Sequence, residues 1–561
     1  MKNYLIKNAK VWTADKQLPW ADCIAIKDKT IDYVGSYSQW RTEEGMAEID
    51  AKGKLVIPAF LDSHTHVVSA AKTLWCLLLE QREYSSIDEI METVRDYASA
   101  HPKEEVPYIY AYSCPTHLMD VKYADRYFMD KYISDRPVLL CDMNFHRCLV
   151  NSKMLELMEI DESVPYDSTT SCNYERFEGS NVPNGIVEER AFEFRHDIDK
   201  MYEKIKWNPP SESDPETLAP ILDIFTDYGV CGILDGFTES EAVFTGLKEL
   251  RKQGRLNHYY HAMPLMTSFN ELEETIDTAK KWKAKYADEY IYVDTIKYFL
   301  DGTNELGTGA VLEPFVNYPE NYGKMNMSED ELTKVFERLN QEGINIQIHL
   351  VGDRSFRTSL NAVERARKKE QEKGRDFNIR VTLLHCELTH PDDRKRVAEL
   401  GVYINFTPAW AGGFFGDGSK KYLGEKRYNS MYSFKEIIES GAIVNFSSDI
   451  VDEEGLPLAE PVLGIQIGHS RTDPGLPNKQ VREPASECLS IEELMLGYTI
   501  NNAKGMGFDD KVGSLTEGKM ANLCIMSDNI FSCNPENISK IKVETVIFEG
   551  KTVKGALGYE R

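Results

Sequence analysis

The sequence predicts an α/β chain built on a (β/α)8 TIM barrel, with a long insertion after the first strand and a small β-sandwich domain formed from both termini. Three observations predict it. Apolar strand segments alternate with amphipathic helical ones through the middle of the chain, β-rich segments stand at both ends, and one outsized gap separates the first two strand segments.

Taken in order, residues 4–12 and 22–35 read as strands with turn signals between them. Met1 to Val11 alternates polar and apolar residues and lacks the apolar core of a signal peptide. Near the other end, Asn522 to Met526 and Val543 to Val553 repeat the pattern around the turn Glu549–Gly550. A β domain made of 1–57 and 509–561, with a main domain of 58–508 inserted between its halves, accounts for both ends.

The main domain offers eight strand segments, 56–64, 230–236, 257–264, 291–300, 344–350, 380–386, 402–408 and 442–448. Helical stretches such as 270–285, 328–342, 353–373 and 434–440 follow most of them. Ser328 with Glu331 three residues on forms a capping-box pattern. Gly254, Gly343, Gly401 and Gly441 sit where a helix should stop before the next strand. An open doubly wound sheet is the alternative architecture, but no Gly-rich phosphate loop follows any of these strands.

Between the first and second strands lie about 165 residues, far beyond ordinary loop lengths. Helical pieces at 86–100, 151–158 and 214–228 and a strand at 137–142 fall in this stretch. We read 67–210 as an insertion growing from the first βα loop, where it covers the barrel mouth.

Composition narrows the function classes. The formal net charge of −26 opposes partnership with nucleic acid or anionic membranes, both of which want a basic face. No apolar run approaches the roughly 20 residues that span a bilayer. Eleven cysteines are scattered without a C-x-x-C pair, which fits reduced thiols in a cytoplasmic protein better than a disulfide framework or a cysteine zinc site.

The chemistry begins with His64-Thr65-His66. Residues two apart on a strand point the same way, so both imidazoles can reach one metal ion. Alone, such a pair is a weak signal. The fourth strand carries Lys297 and runs on to Asp301-Gly302, the fifth ends at His349, the sixth at His385 and the eighth at Asp449. Barrel catalytic groups belong at these C-terminal strand ends. Parity agrees on two strands: Asn345, Gln347 and His349 share the face opposite Ile344, Ile346 and Ile348, and Asn445, Ser447 and Asp449 share a face on the eighth. A packed core histidine is the ordinary reading of any one position, but six ionisable groups at one rim are not ordinary. Four His nitrogens and an Asp oxygen suit zinc or a similar divalent ion, one or two in number. Lys297 is either a salt-bridge partner or a carbamylated lysine able to bridge two metals.

These motifs resemble the amidohydrolase superfamily, and within it the YtcJ-like branch that includes N-substituted formamide deformylases. The likeness runs nearly end to end. It covers Phe60 to His66, Lys297 to Gly302, His349-Leu350-Val351-Gly352-Asp353, His385-Cys386-Glu387, Ser448-Asp449 and the tail from Gly513-Ser514-Leu515 to Gly518-Lys519-Met520-Ala521-Asn522-Leu523. Val150-Asn151-Ser152-Lys153 and Gly185-Ile186-Val187-Glu188 in the insertion fit the same branch. The resemblance implies that His64 and His66 hold one metal, that His349 and His385 hold a second or orient substrate, that carbamylated Lys297 bridges, and that Asp449 ligates and acts as general base. It implies hydrolysis of a C–N bond in an amide, formamide, carbamate or cyclic amide of a small-molecule substrate, and, because dimers are common among such enzymes, a homodimer is the assembly to test. One departure is Ala409, where many relatives carry histidine in the seventh-strand segment.

Weaker candidates complete the list. His146 in the insertion and His261 at the end of the third strand are candidate substrate contacts, and Trp410 with the run Gly412 to Gly416 is a candidate aromatic wall. Asp301 and Asp353 read as orienting groups. His101, His117, His196, His258, His390 and His469 read as surface or packing residues. The same scaffold also hosts deaminases, isomerases and decarboxylases, and a metal-free scaffold protein is the non-enzymatic alternative.

Overall fold

The computed structural model describes residues 3–41, 45–79, 84–115, 118–119, 122, 124–142, 145–167, 172–412, 417–476 and 480–557, with nothing said of the side chains at 193–194. Gly413 to Gly416, His117 and Asn144 lie outside the described residues.

The apolar runs of the middle chain form two parallel sheets. One orders Ile291–Tyr292, Tyr259–His261, Val230–Asp235 and Phe60–Thr65. The other orders Leu265–Met266, Thr295–Phe299, Asn345–Leu350, Val381–His385, Tyr403–Phe406 and Val444–Phe446. Both faces of these strands are buried, as expected where helices cover a parallel sheet.

Three strand expectations are corrected. The segment 56–64 divides at Ala59: Leu55–Pro58 belongs to a terminal sheet and Phe60–Thr65 to the core. The third strand does not end at His261, because Pro264, which has no N–H to give the ladder, interrupts it before it resumes at Leu265–Met266. The fourth is likewise split into Ile291–Tyr292 and Thr295–Phe299. Pro264 accepts from Lys297 N at 3.0 Å, so the two sheets are tied at these breaks.

Among the described residues no ladder joins Phe60–Thr65 to Val444–Phe446. Side chains span that gap. Asn502 Nδ2 donates to the carbonyls of Leu61 at 2.6 Å and Phe446 at 2.7 Å, and Asp449 N donates to His64 O at 3.0 Å.

Helix Glu329–Glu342 starts at the expected capping box of Ser328 and Glu331 and stops at Gly343, whose φ of 66° a side chain would resist. Helices Leu272–Tyr286, Asp353–Glu372 and Phe434–Glu439 follow their strands as expected.

At the chain ends, Lys551–Lys554, Val543–Phe548, Leu523–Met526, Leu55–Pro58, Lys10–Trp12 and Trp20–Ala21 form one sheet with contributions from both termini. A second sheet orders Thr30–Gly35, Cys23–Lys27, Tyr4–Lys7 and Ala47–Asp50. Tyr4, Ile6, Ile24 and Ile26 from the second sheet share an apolar cluster with Val11, Val56, Leu523 and Ile547 from the first. The expected strand 4–12 is thus two strands in two sheets, with Asn8 at φ 50° turning the chain between them.

The stretch after the first core strand holds more β structure than its sequence announces. Six strands, Tyr174–Arg176, Pro183–Glu188, Arg147–Val150, Val138–Asp142, Ile109–Cys114 and Leu77–Leu78, make one mixed sheet, where only 137–142 was expected. The eleven cysteines are free thiols, and no helix among the described residues is long and apolar enough to cross a membrane.

Candidate functional site

The C-terminal ends of the core strands open into a cavity of about 320 Å3. His64, His66, Lys297, His349, His385 and Asp449 all line it, as do His146 and Trp410. Six residues spread over 386 positions of chain therefore meet at one place.

Asp449 stands at the centre. One carboxylate oxygen is 3.4 Å from His64 Nε2 and 3.2 Å from His66 Nε2, and the other is 3.6 Å from His385 Nδ1. Burial works against a charge here, yet His385, His66 and His64 hold the carboxyl well below its ordinary range. The backbone cooperates at a cost: Asp449, His385 and Cys386 have φ of 50°, 64° and 42°, a region that side chains other than glycine rarely adopt.

Each ring is aimed by a neighbour. Gln347 Oε1 lies 3.1 Å from His64 Nδ1, which leaves the Nε2 lone pair facing Asp449. His66 fits because residue 236 is glycine, since a Cβ there would stand 2.2 Å from the imidazole Cε1. His349 Nε2 donates to Gly302 O at 3.0 Å, and its ring packs 4.7 Å from that of His385. Trp410 stacks on His385 with centroids 5.3 Å apart and planes at 18°. Asp62 accepts from His64 N and Ser448 N, both at 3.2 Å, and so pins the first and last core strands together.

Lys297 is fully buried, with Nζ 3.3 Å from His64 Nε2. Burial pulls its pKa down to about 7, against the opposing attraction of Asp449. An amine in that range is substantially neutral at neutral pH and nucleophilic enough to take up CO2.

The donors fit a divalent cation. His64, His66 and Asp449 each present a ligand atom, and these atoms lie within 4.8 Å of one another. His385 Nδ1 is buried and accepts or donates no hydrogen bond, an orphaned nitrogen that a cation would satisfy. His349 is not in the three-donor group, and its Nε2 is committed to Gly302.

His261 is a correction. It is absent from the cavity lining and stacks instead on Tyr292, centroids 4.3 Å apart and planes at 6°, with Phe508 beside it. Because the strand continues past Pro264, residue 261 lies below the rim. Ala409, the departure in the seventh-strand segment, is buried and outside the lining. His258 packs internally, as expected.

The cavity lining holds one expected residue outside the strand ends and several that the sequence did not single out. His146, the candidate substrate contact, lines the cavity, and its Nδ1 meets Glu189 Oε2 at 2.7 Å. Burial alone would lower its pKa, but Glu189 more than reverses this and lifts it to about 9. Glu189, Thr303, Glu305 and Glu387 also line the cavity. Only Glu387, two residues past His385, had any local signal.

An α/β chain whose strand ends carry a His-x-His pair, two further histidines, a buried lysine and an aspartate has the construction of a metal-dependent hydrolase scaffold. The chain belongs to the amidohydrolase family, whose model matches residues 47–554. It is 24% identical over 585 aligned positions to N-substituted formamide deformylase of Arthrobacter pascens, covering 100% of this chain and 99% of that one. It is 22% identical to the amidohydrolase YtcJ of Bacillus subtilis, covering 95% and 96% of the two chains. Among solved structures, an uncharacterized metal-dependent hydrolase from Pyrococcus furiosus aligns with a TM-score of 0.65 at 23% identity, covering 95% of this chain and 100% of that one.

Proposed function

We propose that this protein hydrolyses a C–N bond in a small amide, formamide, carbamate or cyclic amide, using zinc or a similar divalent ion. The observation that carries the reading is the three-donor group of His64, His66 and Asp449 inside a cavity. We read the two parallel sheets as a single eight-stranded barrel, its seam between Phe60–Thr65 and Val444–Phe446 bridged by Asn502. The ion would acidify water and polarise the scissile carbonyl.

The chain's own groups do the rest. Asp449, held ionised by three histidines, accepts a proton from the attacking water and passes it to the leaving nitrogen. Lys297, once carbamylated, becomes an anion beside His64 and suits a second ion, with His349 and His385 on that side. The imidazolium of His146, oriented by Glu189, faces the same space from the insertion and suits the substrate carbonyl or its leaving group.

The test is metal analysis of purified protein followed by a panel of formamides, amides, carbamates and cyclic ureas, with formate and ammonia release measured separately. Formate or a carboxylate released in step with an amine supports the reading. Ammonia from an amidine or aminopurine, with no amide cleaved, replaces it with deamination.

A further inference from the structure

The cavity's charges do not balance. Most of its ionisable groups have partners: Asp449 has its histidines, Glu189 has His146, Glu454 takes the Ser113 hydroxyl, and Asp452 accepts from Gly455 N at 2.8 Å. Of the cations, Lys297 sits on His64, and Arg190 leans to Glu239 at 3.7 Å.

Glu305 and Glu387 are different. Among the described residues neither has a cation within 4.0 Å. The nearby Arg482 is turned to Asp417, at 3.9 Å, and to the rings of Tyr428 and Tyr432. What holds the two carboxylates is neutral. Asn304 Nδ2 donates to Glu387 at 2.8 Å and the Tyr432 hydroxyl approaches at 3.5 Å, while the buried Ser419 hydroxyl beside Glu305 has no hydrogen-bond partner. Gly418 leaves room for Glu305, since a Cβ there would stand 3.2 Å from its Cγ. Beside them Thr303, only 6% exposed, lines the cavity with a buried hydroxyl oxygen that has no hydrogen-bond partner.

Two carboxylates with no ion pair among the described residues, drawn only at longer range by Arg482 and, for Glu305, by His146, make with the unpaired Thr303 hydroxyl a wall rich in acceptors. Such a wall is costly to bury and is compensated by a ligand bearing positive N–H donors. A second metal fits less well, because the three-donor group of the described residues lies at His64, His66 and Asp449, not here. Phe237, Phe299 and Trp410 offer the apolar surface for the rest of such a ligand.

We propose that Glu305, Glu387 and Thr303 form a subsite for an organic cation, so that the substrate carries an ammonium, amidinium or guanidinium group beyond its scissile bond. This assignment of substrate class rests on the hydrolase reading; the cation subsite itself does not.

The experiment compares benzamidinium with its neutral isostere benzamide by titration calorimetry on the full-length protein as purified. Benzamidinium is a fixed cation and a poor metal ligand, so binding reports the wall. The expected result is at least tenfold tighter binding of benzamidinium, with most of that preference lost in Glu305→Gln and in Glu387→Gln while benzamide affinity stays within twofold. Thr303→Val, which removes one acceptor and no charge, provides a third variant should a glutamate variant melt early; it is expected to weaken benzamidinium alone. Equal affinity for the two probes, or a preference that survives in Glu305→Gln/Glu387→Gln, overturns the subsite. A protein that prefers benzamidinium but cleaves no amide removes the hydrolase reading and leaves the subsite standing.

Discussion

Gln347 Oε1 lies 3.1 Å from His64 Nδ1, while its own Nε2 donates to Ser63 O at 3.2 Å. The amide is thus read in one orientation by its two partners, and it fixes which nitrogen of His64 faces Asp449. Groups that orient metal ligands in this way typically contribute about 10–100-fold to metal affinity. Gln347→Leu should therefore weaken divalent-metal binding by that order, measured by chelator competition, with the thermal midpoint of the chelated protein nearly unchanged.

Gly236→Ala tests the same centre from the other side. A Cβ at 2.2 Å from the His66 ring must displace it. The expected outcome is a folded protein, by circular dichroism, with sharply reduced metal content. Retention of full metal occupancy would show that His66 has another place to go.

Lys297 gives a pH-dependent prediction. Its pKa is pulled down to about 7, so the neutral amine is the minority below that pH and the majority above it. CO2 reacts with the neutral form, so carbamylation and any activity depending on it should rise as pH increases through 7. Protein stripped of CO2 at pH 6 and returned to bicarbonate at pH 8 should regain metal and activity together, and Lys297→Met should not respond to bicarbonate.

His146 and Glu189 should matter for turnover but not for metal. A hydrogen bond to a charged group is worth about 1.5–3 kcal/mol, or roughly 10–150-fold. His146→Gln and Glu189→Gln should each lower kcat/KM on an amide substrate within that range while metal content stays at the wild-type level.

His261 should not matter. Both its ring nitrogens are buried without hydrogen-bond partners, and its ring stacks on Tyr292. His261→Phe keeps the stack and removes two unsatisfied polar atoms, so kcat/KM should be unchanged and the melting temperature equal or higher.

How much of this was legible in the sequence follows from where each residue sits. His64 and His66 were visible because a strand repeats every two residues, and His349, His385 and Asp449 because apolar runs mark strand ends. His261 was misplaced because Pro264 looks like a strand end but only interrupts the chain before it pairs again, in the other parallel sheet, at Leu265–Met266. His146, Glu189 and Glu305 lie on loops or in the insertion, where no periodicity tells which way a side chain points. Their meeting with the strand ends depends on a sheet of six strands beside the cavity, three of which are only two to four residues long and give no readable alternation. The Glu305–Glu387 wall was hidden for the same reason: the two residues are 82 positions apart and join only in the folded chain.

The central claim is that His64, His66 and Asp449 grip a divalent ion. Anomalous diffraction at the zinc absorption edge, from crystals of zinc-loaded protein, tests it directly. A peak is expected within about 2.0–2.2 Å of His64 Nε2, His66 Nε2 and an Asp449 oxygen, lost in Asp449→Asn. A cavity without a peak at saturating zinc, or a peak bound only elsewhere on the chain, would contradict it.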